Sequence, residues 1–499
     1  MSFRIEGMQL KQGKVLTELN SESLQDSIRR AIAKAKDLDS AVLLSYSQDW
    51  QCHDPLAFLA ANSSPTQHQF YWKQANLVLA AAGVAAILPD RDPNFDRFEI
   101  AKQFTRSYLL DAIVAGETKL GKLSPYALGG FAFHDLSPSP KLWYSFPRSM
   151  MFVPEWILQQ QGQHQNLCCT LTINYCVLPQ DDLATVTQLI NRKFADLSVD
   201  RINPLNPIIP NSIEISETSA GSKHSWEEMV AQAIDLIHQG KLEKIVLSRA
   251  LDIVAQQDFD PFLVLAALQQ SYPECVSFMV SCGDAMFLGA TPELLLQFQG
   301  DLFQEVNRRL SIRSNALAGS TGRGNSLSED RLMGDRLLNS KKDRLEHQIV
   351  VSSICDRLSN LGALISELPP PRLLKLFNVQ HLHTPIIATL PNAHWLSAFD
   401  VLQQLHPTAA VGGEPSELAL ELLQKWESCD RGWYAAPIGW VNGNGTGAFA
   451  VGIRSGYLKG NKARIYAGAG IVTDSQVEAE LKETNIKFAA LLKALSMEN

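Results

Sequence analysis

The chain has 499 residues, 45% of them hydrophobic and 19% charged, which is enough apolar material for a large core and gives no compositional reason for disorder. Its 52 acidic residues against 44 Lys and Arg set a formal net charge of -8, and no basic run offers the footprint that a nucleic-acid partner requires. A small anionic substrate stays open, because a few local cations or a bound metal can reverse the sign inside one cleft.

At the start of the chain, MSFRIEGMQLKQGK has no apolar secretory core. The longest weakly polar run, Leu77 to Leu88, falls far short of the ~20 residues that span a bilayer. It predicts a buried helix in a cytoplasmic protein with no membrane partner. The eight cysteines lack metal-site spacing and read as reduced thiols. Strand-like pieces begin at Ala41, Tyr126 and Thr170, and Gly129 with Gly130 suggests a tight strand bend. From Asn203 to Ser222, prolines, serines and threonines interrupt every periodicity. This seam separates residues 1–221, an N-terminal part with little paired chemistry, from residues 222–499.

Beyond the seam, Ser225 and Glu228 form a capping box ahead of a helix that Gly240 stops. A strand follows from Lys244. Phe278 to Gly289 and Leu294 to Phe298 read as two further strands, joined by a turn that carries Glu293. One long amphipathic helix is predicted from Ser328 to about Leu361, with Leu332 and Leu345 among its apolar positions. Near the C-terminus, Arg464 to Val472 reads as a strand running into a Gly-x-Gly bend, followed by a helix from Glu478.

Asp343 with Glu346, and Glu480 with Glu483, are spaced i,i+3, so each helix presents two carboxylates on one side. Brought together, they suit a hard cation, and a site that leaves room for substrate oxygens favours magnesium. Taken alone, either pair also fits a solvated face, Glu483 with Lys487 being a common surface ion pair. Lys244 is a base candidate if its strand end is buried, and Glu293 an acid candidate if its setting is apolar. The small-residue stretches ALAGS (from Ala316) and AGAG (from Ala467) leave backbone N–H groups open to an anion. Neither has nucleotide-loop spacing.

The order EKIVLSR, GATPELLL, ALAGS, KDRLEH, QHLHT, HPTAAVGGEP, DRGWYAAPIGW, GIRSG, YAGAGIV, EAELKETNIK resembles the chorismate-utilising enzymes, over roughly Trp226 to Leu495. Within that family the chain looks closest to isochorismate synthases of the quinone- or siderophore-forming kind. The resemblance implies one large α/β (α+β) fold, with two β-sheets stacked at the centre and helices outside, to which the N-terminal part contributes. It also implies a magnesium-dependent site for chorismate.

Residue by residue, the resemblance makes Glu346 and Glu483 the magnesium ligands, with Asp343 and Glu480 supporting through water. Arg454, Tyr434 and Gly468 match groups at the enolpyruvyl carboxylate, with Gly470 next in the same stretch. Gly319, Ser320 and Lys487 match groups around the ring carboxylate and metal, and His381 and Thr408 match polar residues of the pocket wall. Lys244 resembles the base that activates water in the isochorismate and salicylate branches, where the anthranilate branch usually has Gln. Glu293 would then be the acid that protonates the departing C4 hydroxyl. The expected activity is reversible conversion of chorismate to isochorismate, with no obligatory glutamine amidotransferase. Salicylate synthesis, which adds pyruvate elimination, is the first alternative, and the anthranilate synthase large subunit the second. Asn315, Ser320 and Ala410 depart from common family residues and bear on substrate positioning.

Overall fold

Two β-sheets occupy the centre of the protein, in a computed structural model that describes residues 22–88, 96–121, 124–134, 142–162, 167–197, 212–217, 225–300 and 308–496. Among these residues the larger sheet has 13 strands and the smaller has 10. The larger runs from Ile213–Glu217 through Lys244–Ala255, Lys462–Ile471, Ser455–Lys459, Ala285–Thr291 and Val276–Cys282, then on to Gln69–Gln74 and Leu77–Ala82. At the centre of the smaller sheet, Val379–Pro391, Arg309–Gly322, Leu294–Gly300, Thr446–Val451, Pro437–Asn442 and Tyr126–Phe131 lie side by side.

Strand alternation builds the layers. Along Val276–Cys282, Phe278 and Val280 join a core with Leu128, Phe449 and Ile438 of the smaller sheet, while Met279 faces the opposite side. There it packs with Leu24, Phe194, Leu268 and Leu491, which are carried by outer helices. Such strands are apolar on both faces because both faces are covered. This is the two-sheet α/β arrangement that the family resemblance implied. Among the described residues, no helix is long and apolar enough to cross a membrane, and all eight cysteines are free thiols.

The capping box is present, with Ser225 Oγ accepting from Glu228 N and Glu228 Oε2 accepting from Ser225 N. Three predicted elements take another form. Leu77 to Leu88 is strand Leu77–Ala82 in the larger sheet, then a turn, then Ala86–Ile87 in the smaller one. Residues 79–82 are fully buried, and a short run that is apolar on every side has no period to tell strand from helix. Phe278 to Gly289 spans a hairpin, Val276–Cys282 with Ala285–Thr291, that turns at Gly283 and Asp284. The long helix is two, Leu327–Asn339 and Lys341–Asn360, because Ser340 leaves helical geometry and its side chain caps the second helix at Asp343 N. The break resets the helical faces, so Leu337 is buried while Leu332 and Leu345 are half exposed.

Of the Pro- and Ser-rich seam, Ile213–Glu217 is a strand that pairs with Lys244–Ala255, and most of the remainder lies outside the described residues, as does the N-terminal MSFRIEGMQLKQGK. Across the seam, Trp72 of Gln69–Gln74 stands opposite Phe278 of Val276–Cys282 in one antiparallel ladder.

Candidate active site

A cleft with about 610 Å³ of atom-free space, open to solvent at its mouth, lies where the two sheets meet the Lys341–Asn360 and Val477–Ser496 helices. Its walls come from strands Lys244–Ala255 and Lys462–Ile471 of the larger sheet, and from Arg309–Gly322 and Val379–Pro391 of the smaller. Glu293, Gly319, Ser320, Glu346, His381, Tyr434, Arg454, Gly468, Gly470, Glu483 and Lys487 all line it. Lys244, Thr408, Asp343 and Glu480 stand behind that lining.

Glu293 occupies the two-residue link where the chain leaves Ala285–Thr291 in one sheet for Leu294–Gly300 in the other. That crossing buries its side chain to 3% exposure. Burial pushes the carboxyl up to about 8, against the opposing pull of Lys244 and Lys487, so at neutral pH it holds a proton it can donate. Lys244, at the first position of its strand, is 1% exposed, with Nζ 3.0 Å from Glu346 Oε1. It packs against Gly470 of the cleft lining, where a Cβ would sit 2.9 Å from Lys244 Cε and 2.1 Å from Glu346 Oε1. Only a residue without a side chain lets amine and carboxylate meet there.

The four predicted carboxylates form one electrostatic cluster between the two helices. Burial raises Asp343, and Glu346 and Glu483 add to the rise. Burial also raises Glu480, with Lys342 opposing and Glu483 adding. For Glu483, burial alone would raise the carboxyl, but Lys487, Lys342 and Ser320 hold it below the ordinary value. Lysines serve as the local counter-charges, Lys487 lying 2.6 Å from Glu483 Oε1 and Lys342 pairing with Glu480. The i,i+4 pair of Glu483 and Lys487 therefore exists, as the surface reading anticipated, but it faces the cleft. Among the described residues, no three His, Cys, Asp or Glu side chains converge tightly enough to hold a metal alone. Two hard carboxylates lining a cleft, with two more behind them, suit a cation that completes its shell with water and substrate oxygens.

A directed hydrogen-bond chain running from Arg454 to the carboxylate cluster orients the polar groups. Burial, with Arg454 and Lys487 adding to it, holds the His381 pKa well below the ordinary value, so the ring is neutral. Its Nε2 accepts from the Arg454 guanidinium at 3.3 Å, which assigns the proton to Nδ1, 3.1 Å from Ser320 Oγ. Ser320 Oγ donates to Glu483 Oε1 at 3.2 Å, and Lys487 Nζ donates to Gly468 O at 2.7 Å. Ser320 follows a bulge at Gly319, whose φ of +74° and close approach to Asp343 suit glycine. Arg454 also has a positive φ, +51°, which turns it into the cleft from the link between two strands.

Thr408 is buried, and its Oγ1 accepts from Ala410 N at 3.3 Å, shaping the loop whose Ala410 and Val411 face the cleft. AGAG is part of strand Lys462–Ile471 rather than a bend after it, because residues 467–470 continue the antiparallel ladder with Lys244–Ala255. This hid Tyr466, which lines the cleft and stacks on Tyr434 at 4.8 Å between ring centroids. A strand reading would have found it, since a period of two puts Tyr466, Gly468 and Gly470 on one face. Its hydroxyl accepts from Trp143 Nε1 at 3.0 Å, so the N-terminal half supports this wall.

A protonated carboxyl, a buried amine, clustered carboxylates and a guanidinium around one cleft define an enzyme site for a small, multiply charged substrate. The chain belongs to the chorismate-binding enzyme family, whose model, described as Chorismate binding enzyme, matches residues 30–496. It is 32% identical over 95% of its length to the salicylate biosynthesis isochorismate synthase of Pseudomonas aeruginosa, covering 94% of that protein. It is 31% identical over 95% of its length to isochorismate synthase MenF of Bacillus subtilis, covering 98% of it. Among solved structures, MenF, the menaquinone-specific isochorismate synthase from Escherichia coli, superposes with a TM-score of 0.71 at 26% identity, over 94% of this chain and all of that one.

Proposed function

We propose that the protein is an isochorismate synthase, an isomerase that converts chorismate to isochorismate reversibly. The observation that carries this reading is the pairing of a buried Glu293, protonated at neutral pH, with the buried amine of Lys244 at one anion-binding cleft. The relatives named above are isochorismate synthases, which supports the same reaction.

Lys244 takes a proton from a water molecule, whose oxygen bonds to C2 of the substrate ring. The two ring double bonds each move by one position, and the C4–O bond breaks. Glu293 gives its proton to the leaving hydroxyl, which departs as water. Lys244 ends protonated and Glu293 ionised, so the return reaction uses them in exchanged roles. Arg454 and the Tyr434 hydroxyl bind the enolpyruvyl carboxylate, Gly468 lends its backbone beside them, and Gly319, Ser320 and Lys487 surround the ring carboxylate. His381 and Thr408 hold this wall in place.

Glu346 and Glu483 would hold magnesium, backed by Asp343 and Glu480, and the ion when bound supplies charge neutralisation for the ring carboxylate. Since water rather than ammonia is the nucleophile, the reaction calls for no amidotransferase partner. Free thiols and a small-molecule substrate fit a cytoplasmic setting.

The test is chromatography of products from purified protein incubated with chorismate, with and without magnesium. Isochorismate that appears only with the metal is the expected result. Salicylate with pyruvate would make the protein a salicylate synthase, and unchanged chorismate would refute the reading.

A further inference from the structure

Behind the Tyr434 wall lies a charge pair that the proposed chemistry does not use. Arg431 is 1% exposed, and all three of its guanidinium nitrogens donate hydrogen bonds. Nε donates to Glu427 Oε2 at 2.8 Å, while the Nη2 nitrogen donates to Glu427 Oε1 at 2.6 Å and to the Val246 carbonyl at 2.7 Å. The Nη1 nitrogen donates to the Val411 carbonyl at 2.7 Å. Glu427 Oε1 also accepts from Ser248 N and Ser248 Oγ, at 2.8 and 2.9 Å. The guanidinium carbon lies 4.3 Å from the ring centroid of Phe133, a residue of the N-terminal half.

A buried ion pair contributes little net stability compared with well-packed apolar residues, so its presence calls for another reason. The elements it joins supply one. Val246, on the Lys244–Ala255 strand, and Val411, in the loop that follows Thr408, both line the cleft. Arg431 also leads directly into Tyr434, whose N–H donates to the Arg431 carbonyl at 2.8 Å. A rigid guanidinium fork can hold two carbonyls and a carboxylate together, whereas a lysine ammonium on its flexible stem cannot reproduce that geometry.

We infer that Arg431, oriented by Glu427, is a positioning residue that sets the spacing of Val246, Val411 and Tyr434, and thereby the fit of the subsite for the substrate's side-chain carboxylate. The identity of that carboxylate rests on the proposed function, and the spacing rests on the geometry alone.

The test uses the full chain with Arg431→Lys, and with a double variant, Glu427→Leu with Arg431→Met, that removes both charges without stranding either. For each, KM and kcat for chorismate and the thermal midpoint are measured, together with amide exchange of the substrate-free protein. Both variants are expected to raise KM about ten-fold, the size of one lost charge-assisted hydrogen bond, with kcat within about three-fold of the parent. Exchange should quicken at residues 408–412 and 432–436 and stay unchanged along Ala285–Thr291. A lowered thermal midpoint with KM at the parent value, in either variant, overturns the inference. If the parent protein leaves chorismate unconverted, the functional reading fails, and the exchange pattern then decides the positioning role: quickening confined to the two loops supports it, and its absence overturns it.

Discussion

Glu293 couples chemistry and stability in a single carboxyl. Its folded-state pKa is raised from 4.5 to about 8, first by burial. The proton needed for catalysis is therefore present below about pH 8 and lost above it, so kcat/KM should fall on the alkaline side of that value in a pH–rate profile. The same shift costs stability as pH rises, because between 4.5 and 8 the folded protein holds a proton that the unfolded chain has released. Glu293→Gln should abolish turnover yet unfold at a higher temperature than the parent at pH 9, with the difference closing towards pH 4.5. Equal midpoints at pH 9 would show that the carboxyl is not buried as described. Gly470→Ala makes a second residue-scale case: its methyl would press on Glu346 Oε1 and Lys244 Cε. We expect a loss of activity of at least about a hundred-fold and weaker magnesium binding by calorimetry, with the fold retained, since a misplacement of 1 Å can cost that much.

Elements deliver these residues. Ser340 ends one helix and caps the next, and the second helix carries Asp343 and Glu346 in its first two turns. Ser340→Ala should cost about 1 kcal/mol in denaturant unfolding and reduce magnesium affinity, because fraying at that end moves both carboxylates. Unchanged magnesium titration would separate the cap from the site. The capping box at Ser225 was legible in advance because a cap is a local pattern of four residues. The Ser340 break was not, since serine is also tolerated on a helix surface and the Leu332 and Leu345 spacing continued across it. The strand character of AGAG was equally hidden: glycine and alanine carry little β-preference, and that stretch is held by pairing to Lys244–Ala255 on one side.

At the scale of the molecule, the sheet that carries Lys244 also carries strands from the N-terminal half, joined where Trp72 faces Phe278. Trp143 extends that dependence to the aromatic wall of the cleft, and Phe133 extends it to the buried Arg431 behind that wall. Calorimetric unfolding should therefore show one cooperative transition, and a fragment beginning at residue 222 should fail to fold, because it would expose an unpaired apolar strand edge. Two resolved transitions, or a folded fragment, would contradict this.

Residue types, spacing and motif order were enough to place the chain in its family, to nominate the acid, the amine and the four carboxylates, and to find helices where caps are local. The sequence left open whether those groups meet, because i,i+3 acids on two helices and a lysine on a distant strand are equally compatible with solvent. Packing decided it. The crossing between sheets buries Glu293, a glycine with no side chain lets Lys244 reach Glu346, and Tyr466 enters the wall because its strand continues the ladder with Lys244–Ala255. Burial and non-local pairing set those outcomes, and neither is a property of any short stretch of chain.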